Sequence, residues 1–171
     1  MHITPDNLTG PEIRALLKTH FAGMLASSPV GSCHFLDFEG LKGPGVTFWS
    51  VWTDSRPDAA LMGCGAVKEL DTTHGEIKSM RTHADHLRKG AGAAMLEHII
   101  VTAKARGYRR LSLETGSTPD FEAAHGLYLR YGFAYCPPFG DYVEDRFSRY
   151  MTLVLSIRPR FSRFRQRPQR F

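Results

Sequence analysis

The span from Glu76 to Thr115 constrains this chain more than any other part of it. EIKSMRT (Glu76–Thr82) has the composition of a strand. A polar loop, HADHLRK, follows. From Gly90 the apolar and small residues fall into a helical period that lasts to about Arg106. Gly107 suits the position just past a helix end, where a left-handed backbone closes the last turn. RRLSLET (Arg109–Thr115) then reads as a strand again. Strand, helix and strand in that order form a crossover. The two strands therefore lie parallel in one sheet, and the connection is right-handed.

The flanks add antiparallel strands and further helices. VTFWSVW (Val46–Trp52) is β-branched and aromatic, ALMGCGAVKEL (Ala60–Leu70) extends it, and short turns join both to EIKSMRT, so a meander is expected. Near the N-terminus, Pro11–Ala26 has the apolar spacing of an amphipathic helix, with Thr9 near its start. A short helical turn is expected at Phe35–Leu41 and a second long helix at Pro119–Tyr131, stopped by Gly132. FAYC and RYMTLVLS supply the last strands. The sum is an α/β chain: a mixed, mostly antiparallel sheet with one parallel pair and helices on both faces.

The glycines of LRKGAGAAML raise a specific question, because Gly is about 1 kcal/mol worse than Ala inside a helix. A helix N-terminus carries unpaired N–H groups and the positive end of a dipole, and glycines let a phosphate reach that backbone. Arg88 and Lys89 add charge, so the stretch is a candidate pyrophosphate cradle. A tightly packed helix start is the plain alternative. The Gly-Lys-Ser/Thr ending of a Walker loop is absent. A dinucleotide fingerprint needs a third glycine where Met95 stands, although Glu114 falls near the place of its acidic residue.

Composition limits the remaining classes. The chain has 171 residues, 42% hydrophobic and 23% charged, which fits one domain or one domain with a tail. No apolar run approaches the roughly 20 residues that span a bilayer, and MHITPDNLTGPEIRALL lacks the features of a secretory signal. Cys33, Cys64 and Cys136 form no CxxC pair, so a reduced, cytoplasmic setting is expected. The net charge of +5 belongs to one end: Arg158, Arg160, Arg163, Arg165, Arg167 and Arg170 all follow Ile157. Without those six, 16 basic residues face 17 acidic ones. Arginines interleaved with Phe161, Phe164 and Phe171 suit nucleic acid or an acidic surface, whereas Pro159, Pro168 and the charge run suit a solvated extension. His83 and His86, with Asp85 between them, read as a polar loop in place of a metal site, since no second ligand pair is evident.

Taken together, these features resemble the GNAT superfamily of N-acetyltransferases. The resemblance runs from the N-terminal helix through Ser156 and leaves out the tail, giving domain limits of 1–156 and 157–171. Its coenzyme motif, Arg/Gln-x-x-Gly-x-Gly/Ala, reads Leu87-Arg88-Lys89-Gly90-Ala91-Gly92 here, with Leu87 departing at the first position. Its second signature, Tyr-x-x-x-Gly-Phe, reads Tyr128 to Phe133, with Phe121 where an Asn is frequent. The resemblance implies acetyl-CoA as co-substrate and no metal. The pyrophosphate would lie on the amides of Arg88, Lys89, Gly90, Ala91, Gly92 and Ala93. The pantetheine arm would pair with the splayed strand edge at Met80, Arg81 and Thr82.

The resemblance also implies the chemistry: direct attack of a primary amine of a small molecule on the thioester. Glu76 would be the general base, on one strand face with Lys78 and Met80, and Tyr128 the general acid. Glu114 is the second candidate base or an amine-binding acid, and His74 and His125 are candidate acceptor-site residues. Acetylation of a protein lysine or N-terminus is an alternative. A non-catalytic acyl-CoA or nucleic-acid binder using the tail is another. A homodimer is a family-level expectation.

Overall fold

The computed structural model describes residues 1–27, 34 and 36–156. Cys33, the start of the expected Phe35–Leu41 turn and the arginine tail lie outside the described residues. The elements are β1 (His2–Pro5), α1 (Pro11–Ser27), α2 (Phe38–Leu41), β2 (Val46–Trp52), β3 (Leu61–Asp71) and β4 (His74–Thr82). They continue with α3 (Ala91–Ala105), β5 (Arg110–Gly116), α4 (Glu122–Arg130), β6 (Ala134–Cys136) and β7 (Ser148–Val154). Seven strands make one sheet in the order β1-β2-β3-β4-β5-β7-β6. Every neighbouring pair is antiparallel except β4 and β5, the two strands joined by the α3 crossover.

Two details differ from the sequence reading. HITP at the N-terminus pairs with β2 from His2 opposite Trp52 to Pro5 opposite Trp49. Four residues with a proline carry no periodic signal, and Pro5 fits there because β1 is an edge strand. The helix expected over Pro119–Tyr131 is divided: Pro119–Phe121 is a 3₁₀ turn, and α4 begins only at Glu122.

Helices cover both sheet faces over two apolar clusters. On one face, Met95, Leu96 and Ile99 of α3 pack with Ile77, Leu111, Leu113 and Tyr128. On the other, Ile13, Leu16 and Leu17 of α1 pack with Phe48, Cys64 and Ala66. Each of the buried Leu, Ile, Met and Phe side chains among them contributes about 1.5–3 kcal/mol.

The parallel pair is short. β4 and β5 run together from His74 beside Arg110 to Ile77 beside Leu113, and no further. Beyond that point β5 stays with β7 as far as Gly116 opposite Ser148. β4 stays with β3, but across a bulge: Ala66 faces Lys78 and Cys64 faces Arg81, so Gly65 alone opposes both Ser79 and Met80. Ser79 holds a left-handed φ of 52°. Gly65 is required, since a Cβ there would sit 2.7 Å from Met80 Sδ and 2.8 Å from Met95 Cγ. The bulge bends β4 away from β5, and the two strands open into a V.

The bulge also corrects one expectation. Glu76 and Lys78 lie on the α1 face of the sheet, but Met80 does not share it. Met80 packs with the α3 cluster. The extra residue shifts the alternation by one, a change that strand periodicity alone does not reveal.

Candidate active site

The open end of the V is a cleft of about 380 Å³. Its walls are Lys78 to Arg81 from β4, Leu113 to Thr115 from β5, Tyr128 from α4 and His20 from α1. The N-terminus of α3 adjoins it, because a Cβ on Gly92 would lie 3.4 Å from Thr82 Oγ1 at the end of β4 and 3.5 Å from Leu127 of α4.

That helix start presents unpaired backbone donors and no side-chain cap. Gly90 is the cap residue, with φ of 86°, and it offers no side-chain cap to the first turn. Arg88 is also left-handed, with φ of 58°. Ala94 donates back to the Gly90 carbonyl, the first bond of the helix. The amides of Ala91, Gly92 and Ala93 precede that bond and belong to the unpaired first turn of a 15-residue helix. They supply donors and the positive dipole end at one point. Leu87 is 58% exposed, so its side chain builds none of this backbone geometry. Lys89 Nζ donates to the Asp85 carbonyl at 2.8 Å.

The two glutamates expected in the chemistry have different surroundings. Glu76 is 3% exposed. Its Oε1 accepts from Lys78 Nζ at 2.9 Å and from the Tyr142 hydroxyl. Lys78 donates also to Tyr142 Oη at 2.6 Å and to the His34 carbonyl at 2.9 Å. The three side chains form a closed buried knot that ties β4 to the loop between β6 and β7, and Glu76 is not among the cleft walls. Burial and the Glu76 carboxylate push the Tyr142 phenol well up.

Glu114 does face the cleft. Burial raises its pKa, opposed by the Ser148 hydroxyl and the charges of His34 and Lys78. A carboxylate held in that state accepts a proton more readily than an exposed one. Tyr128 lines the same cleft and is 5% exposed, and its hydroxyl has no hydrogen-bond partner among the described residues. Burial pushes its pKa up, so it stays protonated.

The structure thus brings Glu114, Tyr128, Met80 and Arg81 to one cleft, with the α3 N-terminus adjoining. It places the two histidines suggested by sequence elsewhere. His74 Nε2 bonds to Ser112 Oγ at 2.8 Å, and His125 bonds to the Gly116 carbonyl and the Tyr135 hydroxyl. His20 and His34 line the cleft instead. His83 caps its own 3₁₀ turn by accepting from Asp85 N. Sequence reasoning missed His20, which reads as one more polar position on an amphipathic helix. It also missed Tyr142, which sits in an aperiodic loop. Lys78 was within reach, two residues from Glu76 on the same face. Buried Cys64, its thiol pushed up to about 12 by burial, donates to the Ser79 carbonyl across the bulge.

Comparison with known proteins identifies the family and the fold. Residues 12–133 match the model of the Acetyltransferase (GNAT) family. The uncharacterized N-acetyltransferase YsnE of Bacillus subtilis (strain 168) is 55% identical over 155 residues, covering 91% of this chain and all of that one. A solved structure from Klebsiella pneumoniae superposes with a TM-score of 0.71 at 25% identity, over 91% of this chain and 97% of that one. A GNAT family acetyltransferase from Elizabethkingia anophelis, solved with acetyl-CoA bound, shares the fold with a TM-score of 0.59 at 19% identity, over 90% and 97%. The chain belongs to the acetyltransferase (GNAT) family and is an acetyl-transferring enzyme.

Proposed function

We propose that the enzyme transfers the acetyl group of acetyl-CoA to a primary amine of a small molecule, by direct attack and without a metal. One observation carries the reading: Glu114 and the unpartnered Tyr128 line a cleft between parted parallel strands, beside an uncapped helix N-terminus. The pyrophosphate lies on the amides from Arg88 to Ala93, and the pantetheine follows the free β4 edge from Met80 to Thr82. Residues 1–156 suffice for this reaction, and 157–171 are an appendage to it.

An ammonium must lose a proton before it can attack. Glu114 takes that proton, and its raised pKa suits the task. The amine nitrogen then bonds to the thioester carbon, and the C–S bond breaks. The second proton, shed as the amide forms, ends on the coenzyme sulfur, which leaves as the thiol. Tyr128 donates a hydrogen bond to the sulfur as its charge develops, in a site where burial strengthens that bond. Glu76, the base expected from sequence, is read here as a supporting residue, a reading favoured by the Lys78 and Tyr142 contacts to its carboxylate.

The test is a thiol-release assay with acetyl-CoA over a panel of amines, run for the wild type and Glu114→Gln. Glu114→Gln is expected to lower kcat/KM by about 100-fold and to remove the acid limb of its pH profile. Because burial raises the Glu114 pKa, that limb lies above the usual carboxylate range in the wild type. A variant with wild-type rate and profile refutes Glu114 as the base.

A further inference from the structure

The α1 side of the cleft holds two groups that acetyl transfer does not account for. Beyond the bulge, Arg81 pairs with Cys64, so its side chain lies on the α1 face, opposite to Met80. It is exposed, lines the cleft, and forms no ion pair among the described residues. The other basic groups of the cleft are engaged. Lys78 is held by Glu76 and Tyr142, and His34 Nε2 lies 3.8 Å from Asp145.

His20, from α1, stands in the same wall and within reach of the Arg81 charge. It is 9% exposed, and its buried Nδ1 has no partner among the described residues. Burial lowers its pKa to about 4, so the ring is neutral near pH 7. Leaving a buried polar group unsatisfied is costly, and no described residue offsets that here. A neutral imidazole protonated at Nε2 offers the cleft a hydrogen-bond donor.

Across the cleft stands Glu114. The site is therefore polarised, with a carboxylate on the β5 wall and, where β4 meets α1, a guanidinium without an ion pair among the described residues beside a neutral imidazole. A ligand that matches both walls is cationic at one end and anionic at the other. One guanidinium fork and one neutral ring suit a planar, singly charged carboxylate better than a doubly charged phosphate group.

We propose that the acceptor is an amino-acid-like zwitterion, with its amine at Glu114 and its carboxylate held by the Arg81 fork beside His20. The proposal rests on the amine acetylation set out above and narrows it to a substrate class. The Arg81 backbone remains part of the β4 edge that meets pantetheine, and the side chain has this separate task.

The test compares each of a set of free amino acids with its own α-amide, with the amine lacking the carboxylate, and with the matching aminophosphonate. Acetyl-CoA is held constant and the full chain is used. The wild type is expected to prefer the free acids by about tenfold or more in kcat/KM, because a site built to bind a charged group rejects analogues that lack it. Arg81→Gln should bring the acid-to-amide ratio to within about threefold, and Arg81→Lys, which keeps the charge without the fork, should fall between. The KM for acetyl-CoA, measured alongside, separates this effect from damage to coenzyme binding. Amides, decarboxylated amines or aminophosphonates used as well as the acids by the wild type would overturn the proposal. So would an unchanged acid-to-amide ratio in Arg81→Gln. If no amine of any kind is acetylated although acetyl-CoA binds, the amine-transfer reading itself has failed.

Discussion

Glu76→Gln separates a supporting glutamate from a catalytic one. The change keeps the shape of the side chain and removes the charge facing Lys78 Nζ at 2.9 Å. The two side chains are 3% and 10% exposed, so water cannot replace the lost carboxylate. Breaking a buried ion pair by removing one partner costs about 3–5 kcal/mol. Lys78 keeps the Tyr142 hydroxyl and the His34 carbonyl, and glutamine can still accept from Tyr142, which places the loss at the lower end. About 3 kcal/mol lowers Tm by roughly 9 °C in a domain of this size. Calorimetry measures that shift, and rates taken well below Tm should keep the acid limb that Glu114→Gln removes. Adding Lys78→Met to Glu76→Gln should recover much of the lost stability, since the stranded ammonium is then gone. An unchanged Tm together with a flattened acid limb would refute the reasoning and make Glu76 the proton acceptor.

Tyr128→Phe should lower kcat by about 100-fold while leaving the KM for acetyl-CoA within about twofold, because the hydroxyl meets a charge that exists only in the transition state. Steady-state kinetics with acetyl-CoA varied checks both numbers. Gly92→Val places a branched side chain where a Cβ already lies 3.4 Å from Thr82 Oγ1. It should weaken acetyl-CoA binding at least tenfold by calorimetric titration, with a smaller change in turnover at saturation. For His20 the folded pKa, about 4, lies below the unfolded value of 6.5, through desolvation first and the Arg81 charge second. Stability is then fully present above pH 6.5 and falls as the pH drops toward 4, by about 3 kcal/mol over that window. His20→Gln should show a shallower loss in denaturant melts across the same range, and an equally steep one would contradict the buried neutral ring.

The β2–β4 meander, the parallel pair and the start of α3 were legible because each rests on local signals. Strand composition and bounding turns mark β2, β3 and β4, the 3.6 period marks α3, and Gly90 and Gly107 mark its ends with left-handed φ values of 86° and 83°. The contents of the cleft were legible only in part. Glu114 and Tyr128 follow from a strand end and a helix motif. The status of Glu76 does not, because it depends on Tyr142, 66 residues away in a loop without a period. Which of two glutamates is held in an ion pair is a tertiary fact. It is decided by where one phenol and one ammonium come to rest.

The bulge at Ser79 explains why sequence and site diverge on β4. In an unbroken strand, Ile77, Ser79 and Arg81 would share the α3 face, and Arg81 would point into an apolar cluster. One extra residue opposite Gly65 reverses every position after it. Arg81 then reaches the acceptor side, and Met80 fills the core space above Gly65. The same bend takes β4 away from β5 and opens the edge on which the coenzyme arm is proposed to lie. A left-handed serine costs about 1–2 kcal/mol. The bulge that carries this strain sets both the slot and the polarity of its walls. Removing the bulge by deleting Ser79 would therefore close the V and turn the guanidinium inward, so that coenzyme and acceptor binding would fail together.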